Sequence, residues 1–345
     1  MKALRRNSRT PRDAGVVEVS KAGPGPGEVL LKTSHCGVCG SDLHAYLNHP
    51  GYETIPEQFT FGHEFSGVVD EVGEGVTEWK KGDHAVSISV QGCLAPDCHY
   101  CSIGYSQLCP ERKIIGIHLD GGMAEYTIVN QKYLVRIPEE ADLMAASLTE
   151  PLSVAEHCVT DCSDIESGDL VIVTGPGIIG IMCALVARLK GAKVVMTGID
   201  SDNRLRLPAA QDIGFDTIVT GPGNPSLQEQ IVGRFGRLAD RQIEASGSGE
   251  ALAEGVDAVR KLGSVTVVGL YPEIVRINMT NLVRNQIDIR TSYVSDRANY
   301  ERALEIIGAD VIPVDRLVHT YELIDGIRAF EDADGKSVIK PVLVC

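Results

Sequence analysis

The chain has 345 residues, and 47 acidic against 32 basic side chains give it a formal net charge of −15. At roughly 100–200 residues per domain, this length predicts two domains. An acidic chain repels nucleic-acid phosphates and anionic lipid, so the charge argues against roles on nucleic acid or at a membrane surface. The 10 cysteines raise the question of whether they form disulfides, bind metal or pack in the core.

The N-terminal region gives no sign of export. Residues 1–13 are basic, but no apolar segment of the kind found in a secretory signal follows them. An uncharged run at 170–187 reaches the length of a membrane helix, but Gly175, Pro176 and Gly177 interrupt it, which predicts strand, turn and helix. We therefore expect a cytoplasmic protein whose cysteines bind metal or pack rather than form disulfides.

The pattern of apolar residues changes along the chain. Residues 15–140 contain short Val- and Ile-rich runs between Gly and Pro, which predict small antiparallel β-structure with long loops. After about residue 153, strands alternate with helices, which predicts a parallel, doubly wound sheet. The predicted strands are 170–174, 193–197, 217–219, 241–244 and 264–268, and the predicted helices are 178–190, 204–213, 226–235 and 249–261. The tail contains a predicted helix at 299–307 and a strand at 338–344, and we expect it to return to the first domain.

Four cysteines lie close together in the predicted β-domain with the spacing C-x4-C-x2-C-x7-C: Cys93, Cys98, Cys101 and Cys109. Tetrahedral zinc takes four thiolates at ~2.3 Å, and these short spacings let one loop surround the ion. Such a site has no open position, so its role would be structural. The alternatives are two local disulfides or four packed thiols.

A second metal site is predicted from Cys36, His63 and Glu64. Thiolate, imidazole and carboxylate all suit zinc, and three protein ligands leave one position for water or substrate. Glu150 is a possible fourth or water-mediated ligand. Each of these residues alone would more often be an ordinary packed residue. The other cysteines are interpreted as packing: Cys39, Cys158, Cys162, Cys183 and Cys345.

A glycine-rich motif, G-x-G-x-x-G, follows the strand at 170–174 and opens the next helix. It consists of Gly175, Pro176, Gly177, Ile178, Ile179 and Gly180. Such glycines allow a tight turn, close approach of a pyrophosphate and helix packing on the strand. Asp200 follows at the distance expected of the acidic residue that binds the ribose hydroxyls. Arg204 and Arg206 raise the alternative of a 2′-phosphate, and a purely structural turn is the remaining alternative.

Together, the two cysteine-containing motifs and the glycine turn resemble the zinc-containing medium-chain alcohol dehydrogenases over essentially the whole chain. The segments at 36–44, 62–64 and 150–154 most resemble the sorbitol (polyol) dehydrogenase branch. The resemblance implies a fold of class α/β plus β, in which a Rossmann domain is inserted into a GroES-like catalytic domain and the active site lies in the cleft between them. The expected domains are 1–152, with a structural-zinc lobe at about 91–111, then 153–290, and a return to the catalytic domain at 291–345.

The resemblance also implies roles for individual residues. Cys36, His63, Glu64 and Glu150 correspond to the family's catalytic metal residues, and the four clustered cysteines correspond to its structural-zinc ligands. Ser41 would take the substrate hydroxyl proton and His44 would pass it to solvent, while NAD⁺, or NADP⁺ as the alternative, accepts the hydride.

Three features depart from the family pattern. Four residues separate Cys93 from Cys98 where the family usually has two. Gly198 stands where many polyol dehydrogenases have Asp, and the segment 291–295 lacks their substrate-binding Arg. These departures leave the cofactor preference and the individual substrate open.

The sequence therefore predicts a zinc-dependent oxidoreductase that transfers a hydride from a secondary alcohol of a polyol, sugar or sugar-phosphate to NAD(P)⁺. The alternatives are a threonine-type amino-alcohol dehydrogenase and, in another class, a catalytically silent nucleotide-binding or structural relative. The expected partner is a small-molecule alcohol, with no nucleic acid and no membrane. The resemblance also suggests a homodimer or homotetramer.

Overall fold

The computed structural model describes residues 1–52 and 55–345, and these form two compact units. The first unit contains Met1–Ser153 and Ser295–Cys345, and the second contains Val154–Val294. In sequence, the second unit is thus inserted into the first.

The N-terminal part of the first unit is rich in strands. Its strands are β1 (Lys2–Arg6), β2 (Ala14–Glu18), β3 (Glu28–Gly37), β4 (Glu64–Val72), β5 (His84–Ser87), β6 (Val90–Gln91), β7 (Lys113–Ile114), β8 (Tyr126–Asn130) and β9 (Leu134–Arg136). Its helices are α1 (Gly40–Tyr46), α2 (His99–Ser102), α3 (Leu143–Ala146) and α4 (Thr149–Glu156), with 3₁₀ turns at Ser106–Leu108 and Gln131–Tyr133.

The second unit is a parallel α/β structure. Its strands are β10 (Leu170–Thr174), β11 (Lys193–Ile199), β12 (Asp216–Thr220), β13 (Ala239–Glu244), β14 (Val259–Val267) and β15 (Asp288–Thr291). Its helices are α5 (Ile178–Leu189), α6 (Arg206–Asp212), α7 (Leu227–Phe235), α8 (Gly249–Ala258) and α9 (Met279–Asn285), with a π-helical segment at His157–Asp161 and a 3₁₀ turn at Asp200–Arg204. The strand order β12-β11-β10-β13-β14-β15, parallel throughout, is that of the Rossmann fold and confirms the predicted sheet.

The elements of the second unit follow from their apolar patterns. The uncharged run at 170–187 divides into β10, whose five residues are all buried, and α5. Side chains from strands and helices form a shared core of Leu170, Ile172, Val195, Ile218, Leu227, Ile231, Ala239 and Ala258. One predicted boundary was wrong, because α8 ends at Ala258 and the β-branched Val259 already pairs with Ala239 as the start of β14. Among the described residues, no helix is both long and apolar enough to cross a membrane.

The tail belongs to the first unit. It contains α10 (Arg297–Gly308), α11 (Val314–Leu317), β16 (Val318–Glu322), a 3₁₀ turn at Leu323–Asp325, α12 (Gly326–Asp334) and β17 (Lys340–Val344). The sheet of this unit has the order β16-β17-β3-β4-β5-β9, and β8 also pairs with β3. Because β17 and β4 both pair antiparallel with β3, the C-terminal strand lies in the same sheet as the strands that carry residues 36 and 64.

Candidate active site and metal centres

The four clustered cysteines converge as predicted. Their sulfur atoms all lie within 4.8 Å of one another, and none of the four forms a disulfide. The distances from Cys93 Sγ to Cys101 Sγ and from Cys98 Sγ to Cys109 Sγ are both 3.8 Å. In a tetrahedron with metal–sulfur bonds of ~2.3 Å, the sulfur atoms are about 3.8 Å apart. The donor set therefore fits a zinc ion enclosed by four thiolates.

The environment of this cluster makes its thiols unequal. The Cys93 N–H group donates a hydrogen bond to Cys109 Sγ at 3.4 Å, and this bond lowers the pKa of Cys109 to about 7. Burial raises the pKa of Cys101 to about 12. Because thiols must lose their protons to bind a metal, binding of a cation to this cluster would release protons.

A second donor group consists of Cys39, His63 and Glu64, whose ligand atoms lie within 4.8 Å of one another. Cys39 is the N-cap residue of α1, and Glu64 is the first residue of β4. Gly37 pairs with Glu64 across β3 and β4, so the end of one strand and the start of the next meet at this point. His63 and Glu64 are buried and Cys39 is half-buried.

Charged residues behind this donor group hold it in place. Asp42 is fully buried, accepts a hydrogen bond from the Cys39 N–H group at 2.9 Å, and has Oδ1 3.6 Å from His63 Nδ1. Lys340 forms a buried ion pair with Glu64 and also donates to the Val38 carbonyl at 2.9 Å. A carboxylate behind a histidine ring fixes the orientation of a metal-binding imidazole.

The electrostatics of the group favour an added cation. Burial opposes a charge on His63, but Asp42 and Cys39 outweigh it and raise the pKa of that imidazole well above its ordinary value. Burial also raises the pKa of Asp42 and of Glu150, since each would otherwise be an anion in a low-dielectric region. A thiol, an imidazole and a carboxylate that attract positive charge fit a zinc ion with three protein ligands.

The position of Cys36 corrects the predicted ligand set. In β3, Cys36 pairs with Phe65 and Leu343, whereas the next residue, Gly37, pairs with Glu64. Neighbouring residues of a strand point to opposite faces, so Cys36 and Glu64 lie on different faces of the sheet. Cys36 Sγ packs so closely on Gly62 that a Cβ there would be 2.5 Å from it, and burial raises the pKa of the thiol far above its ordinary value. The structure thus places Cys39 in the donor group, and Cys36 in the packed role that the sequence had suggested for Cys39.

Glu150 is buried near the donor group but is held by other contacts. Its Oε1 accepts a hydrogen bond from the Ser89 hydroxyl at 2.9 Å. The Tyr300 hydroxyl in turn donates to Ser89 Oγ at 3.2 Å. The charge of His63 influences the pKa of Glu150, but the carboxylate is not one of the three groups within 4.8 Å of one another. This geometry suits an indirect role for Glu150 better than direct coordination.

The two residues expected to relay a proton have different surroundings. Ser41 Oγ lies 3.4 Å from His63 Nε2, which places the hydroxyl at the donor group. His44 is exposed, and its Nδ1 lies 2.8 Å from Nδ1 of His49. Burial of part of the ring and the neighbouring His49 lower the pKa of His44, which favours its neutral, proton-accepting form.

The glycine motif forms the predicted turn between β10 and α5. Gly175 has φ +94°, and a side chain there would collide with the backbone of Ser246. A Cβ on Gly180 would lie 1.9 Å from the Gly175 carbonyl oxygen. Gly177 is the N-cap of α5 and has open space beside it, so the free N–H groups of Ile178 and Ile179 can face a phosphate.

Two acidic residues follow the end of β11, and their surroundings differ. Asp200 and Arg204 are exposed, whereas Asp202 is half-buried and its Oδ2 accepts a hydrogen bond from the Ile199 N–H group at 3.0 Å. A Cβ on Gly198 would lie 2.9 Å from this oxygen and 3.0 Å from Pro176. The absence of a side chain at Gly198 therefore leaves room for the Asp202 carboxylate beside the glycine turn.

A Rossmann unit with a dinucleotide turn, in one chain with a closed and an open zinc donor set, defines a zinc-dependent dehydrogenase. Two family models match the chain: an alcohol dehydrogenase GroES-like domain at residues 25–139 and a zinc-binding dehydrogenase at residues 179–309. A solved structure of a zinc-binding dehydrogenase from Sinorhizobium meliloti, bound to NADP, is 28% identical with a TM-score of 0.90 and covers 100% of this chain and 99% of its own.

Relatives with assigned activities indicate the branch of the family to which the chain belongs. A sorbitol dehydrogenase of Halalkalibacterium halodurans is 34% identical over 99% of each chain, and a D-arabitol-phosphate dehydrogenase of Enterococcus avium is 30% identical over 92% of this chain and 89% of its own. An L-threonine 3-dehydrogenase of Pyrococcus horikoshii is 35% identical but over only 78% and 76%. The chain belongs to the zinc-containing medium-chain alcohol dehydrogenase family, in its polyol dehydrogenase branch. It is a zinc-dependent, NAD(P)-linked enzyme, as the sequence predicted.

Several residues that the structure places near the donor group or the glycine turn were not predicted from the sequence. Cys39 and Asp42 belong to the motif that was singled out, and the position of Cys39 directly before Gly-Ser-Asp was the available signal. Lys340 lies 276 residues from Glu64, and no local pattern connects the two. Asp202 lies two residues beyond Asp200. Its carboxylate occupies the space beside Gly198 that a side chain at residue 198 would fill, and this contact cannot be read from the sequence.

Proposed function

We propose that this enzyme oxidises a secondary alcohol of a polyol or a polyol phosphate, with Cys39, His63 and Glu64 as its catalytic zinc ligands. The observation that carries the proposal is the buried donor group of these three residues, supported by Asp42 and Lys340. Its location in a chain with a dinucleotide turn, and the relatives that cover the chain most fully, support the same chemistry.

Different residues of the site would bind the metal, position its ligands and act near the substrate. Zinc held there would act as a Lewis acid on the substrate hydroxyl and make its deprotonation accessible near neutral pH. Cys39 and Glu64 would supply anionic ligands, and the Asp42 carboxylate, 3.6 Å from His63 Nδ1, places a negative charge beside the ring. Glu150, held by Ser89, keeps a further carboxylate near the open position.

The proton leaves through residues of α1 and the loop after it. Ser41, whose Oγ lies 3.4 Å from His63 Nε2, is proposed to accept the substrate proton as it passes its own proton outward. His44, the next proton acceptor along α1, is paired with His49, and both rings are exposed to solvent. The pair gives the proton an exit to water.

The cofactor is proposed to be NAD⁺ in preference to NADP⁺. The amides of Ile178 and Ile179 at the start of α5 would bind its pyrophosphate, between Gly175, Gly177 and Gly180. The Asp202 carboxylate, rather than Asp200, would accept hydrogen bonds from the adenosine ribose, and its charge would repel a 2′-phosphate. Arg206 Nη1 is 3.8 Å from Asp202 Oδ1, so the two side chains form an ion pair.

Threonine-type amino-alcohol oxidation is the weaker alternative, because those relatives cover less of the chain. A catalytically silent protein is disfavoured, since it would not need a buried, partly open zinc donor group.

We further propose a cytoplasmic enzyme, in line with ten free cysteines, and a homodimer or homotetramer, in line with the family. Size-exclusion chromatography with light scattering tests the assembly.

The test is a substrate panel assayed with the zinc-loaded protein. Polyols, polyol phosphates and amino alcohols are each tested with NAD⁺ and with NADP⁺. We expect a polyol or its phosphate to give the highest kcat/KM, and NAD⁺ to be preferred. Asp202→Ser should reduce kcat/KM for NAD⁺ by about 10- to 150-fold, since charge-assisted hydrogen bonds contribute about 1.5–3 kcal/mol. Asp200→Ser is the matched control. Highest activity on threonine would refute the assignment as a polyol dehydrogenase. Equal effects of the two substitutions would refute the role of Asp202 in binding the ribose.

A further inference from the structure

A cysteine outside both zinc donor groups forms a triad with a histidine and an aspartate. Cys162 Sγ lies 3.5 Å from His157 Nε2, and His157 Nδ1 lies 3.1 Å from Asp161 Oδ2. This order of thiol, imidazole and carboxylate is the arrangement that activates a nucleophile: the ring faces the sulfur and the carboxylate orients the ring. The zinc and dinucleotide chemistry of the enzyme does not use these residues.

The local backbone explains why these side chains meet. Residues His157–Asp161 form a π-helical segment, and the Cys162 N–H group donates to the His157 carbonyl at 3.0 Å. This bond spans five residues, so the wider turn carries Cys162 back over the His157 ring. Single π-helical turns inside helices occur frequently at functional sites.

The sulfur of Cys162 has a histidine and an arginine as neighbours, and both are basic side chains. Hydrogen bonds with Cys162 and Asp161 raise the pKa of His157 above its ordinary value, although burial acts against it. Cys162 also interacts electrostatically with Arg290, a second cation. A thiolate beside a protonated histidine is a strong nucleophile at neutral pH.

Access distinguishes Cys162 from the other cysteines of its unit. Cys162 is partly exposed, and the Asp161 side chain at the other end of the triad is 37% exposed. Cys158 and Cys183 are fully buried, and a hydrogen bond with Cys183, together with burial, raises the pKa of Cys158 well above its ordinary value. Buried, protonated thiols are inert.

We propose that Cys162 is a redox-active thiol that hydroperoxides oxidise to a sulfenic acid. The thiolate attacks one peroxide oxygen, an S–O bond forms and the O–O bond breaks. His157 gives its Nε2 proton to the departing oxygen, so hydrogen peroxide yields Cys–SOH and one water, and His157 becomes neutral. Sulfur loses two electrons and the peroxide gains them. The function exists alongside the dehydrogenase reaction and does not depend on it.

The first test measures labelling of individual cysteines in the zinc-loaded protein at pH 7 by mass spectrometry of its peptides. Iodoacetamide should alkylate Cys162 at least about 10-fold faster in the wild type than in His157→Gln. Cys345 is the internal control, since its rate should not change. Equal Cys162 rates in the two proteins would overturn the role of His157. Because His157 is buried, Asp161→Asn provides a milder second variant, which should slow alkylation about threefold.

The second test exposes the same protein to hydrogen peroxide and traps sulfenic acid with dimedone. We expect one dimedone adduct on the Cys162 peptide in the wild type and its loss in Cys162→Ser and His157→Gln. Absence of the adduct from wild-type Cys162, or an equal adduct in His157→Gln, would contradict the proposal. If His157→Gln does not fold, an unchanged adduct in Asp161→Asn contradicts it in the same way.

Discussion

The two zinc donor groups of this protein are built in different ways. The four-cysteine group comes from one loop, uses a single kind of ligand and sits partly at the surface. The Cys39 group combines the N-cap of α1 with the start of β4 and mixes three kinds of ligand. Buried charges surround it, and one of them is Lys340 of the C-terminal strand. The first donor set would enclose a metal ion on all sides, whereas the second has three donors with Asp42, Lys340 and Glu150 nearby. Variants of each group should therefore fail in different ways.

The largest expected difference lies between Cys39 and Cys36. Cys39→Ala should reduce kcat/KM at least about 1000-fold, because about 4 kcal/mol of transition-state stabilisation depends on the catalytic ion. Cys36→Ala is the matched control: it should cost about 1 kcal/mol of stability through the lost packing and keep kcat/KM within about threefold. Steady-state kinetics with the best polyol measures both. The reverse pattern would restore Cys36 as the ligand.

Disruption of the closed group should affect stability rather than chemistry. Cys98→Ser should lower the zinc content by one ion per chain and the free energy of unfolding by about 3 kcal/mol, since metal binding to the loop contributes to folding. Metal analysis and thermal unfolding measure the two effects. Full wild-type zinc content in Cys98→Ser would show that the four sulfurs do not form the site.

Removal of the Asp42 charge behind His63 should affect the Cys39 donor group and leave the four-cysteine group unchanged. Asp42→Asn keeps the side-chain shape but removes the charge that faces His63 Nδ1, and should weaken zinc affinity or activity about 10- to 100-fold. Asp97→Asn, in the loop between Cys93 and Cys98, serves as the control and should change neither. Competition with a zinc chelator and kinetics measure the effect. Equal behaviour of the two variants would remove Asp42 from the site.

The smallest expected effect concerns the hydrogen bond from Ser89 to Glu150. Ser89→Ala should lower kcat/KM about fivefold, equivalent to a hydrogen bond of about 1 kcal/mol. The bond lowers the pKa of Glu150 against the effect of burial, so its loss raises that pKa further. If ionised Glu150 is needed, activity at acid pH should decline at a higher pH than in the wild type. Ser102→Ala, next to Cys101, should leave the pH profile unchanged, and a profile of Ser89→Ala equal to that of the wild type would exclude the role of Glu150.

The same contrast explains what could be predicted from the sequence. The four cysteines are close in the chain, so their spacing alone identified the closed site. The second unit was predictable because its apolar runs alternate at helix and strand periods, although the polar strand β15 gave no such signal. The open group depends on the register of β3 against β4, which decides the face on which each residue lies. Residues 36 and 39 share one motif, and the strand pairing of Cys36 is what separates them in the structure.

Contacts between distant parts of the chain could not be predicted from the sequence. The Glu64–Lys340 pair requires β17 to join the sheet beside β3, and the position of Asp202 requires the fold of the turn after β11. The Cys162 triad was missed for another reason. Its residues are adjacent in sequence, but an ordinary α-helix would not place residue 162 over residue 157, and the π-helical turn left no recognisable pattern.

The most direct test of the account is an anomalous-scattering map at the zinc edge, from crystals of the zinc-loaded protein. We predict two peaks per chain, one among Cys93, Cys98, Cys101 and Cys109, and one bonded to Cys39, His63 and Glu64 with Cys36 outside the coordination sphere. A second peak bonded to Cys36 in place of Cys39, or no peak beside His63, would contradict the proposed catalytic site.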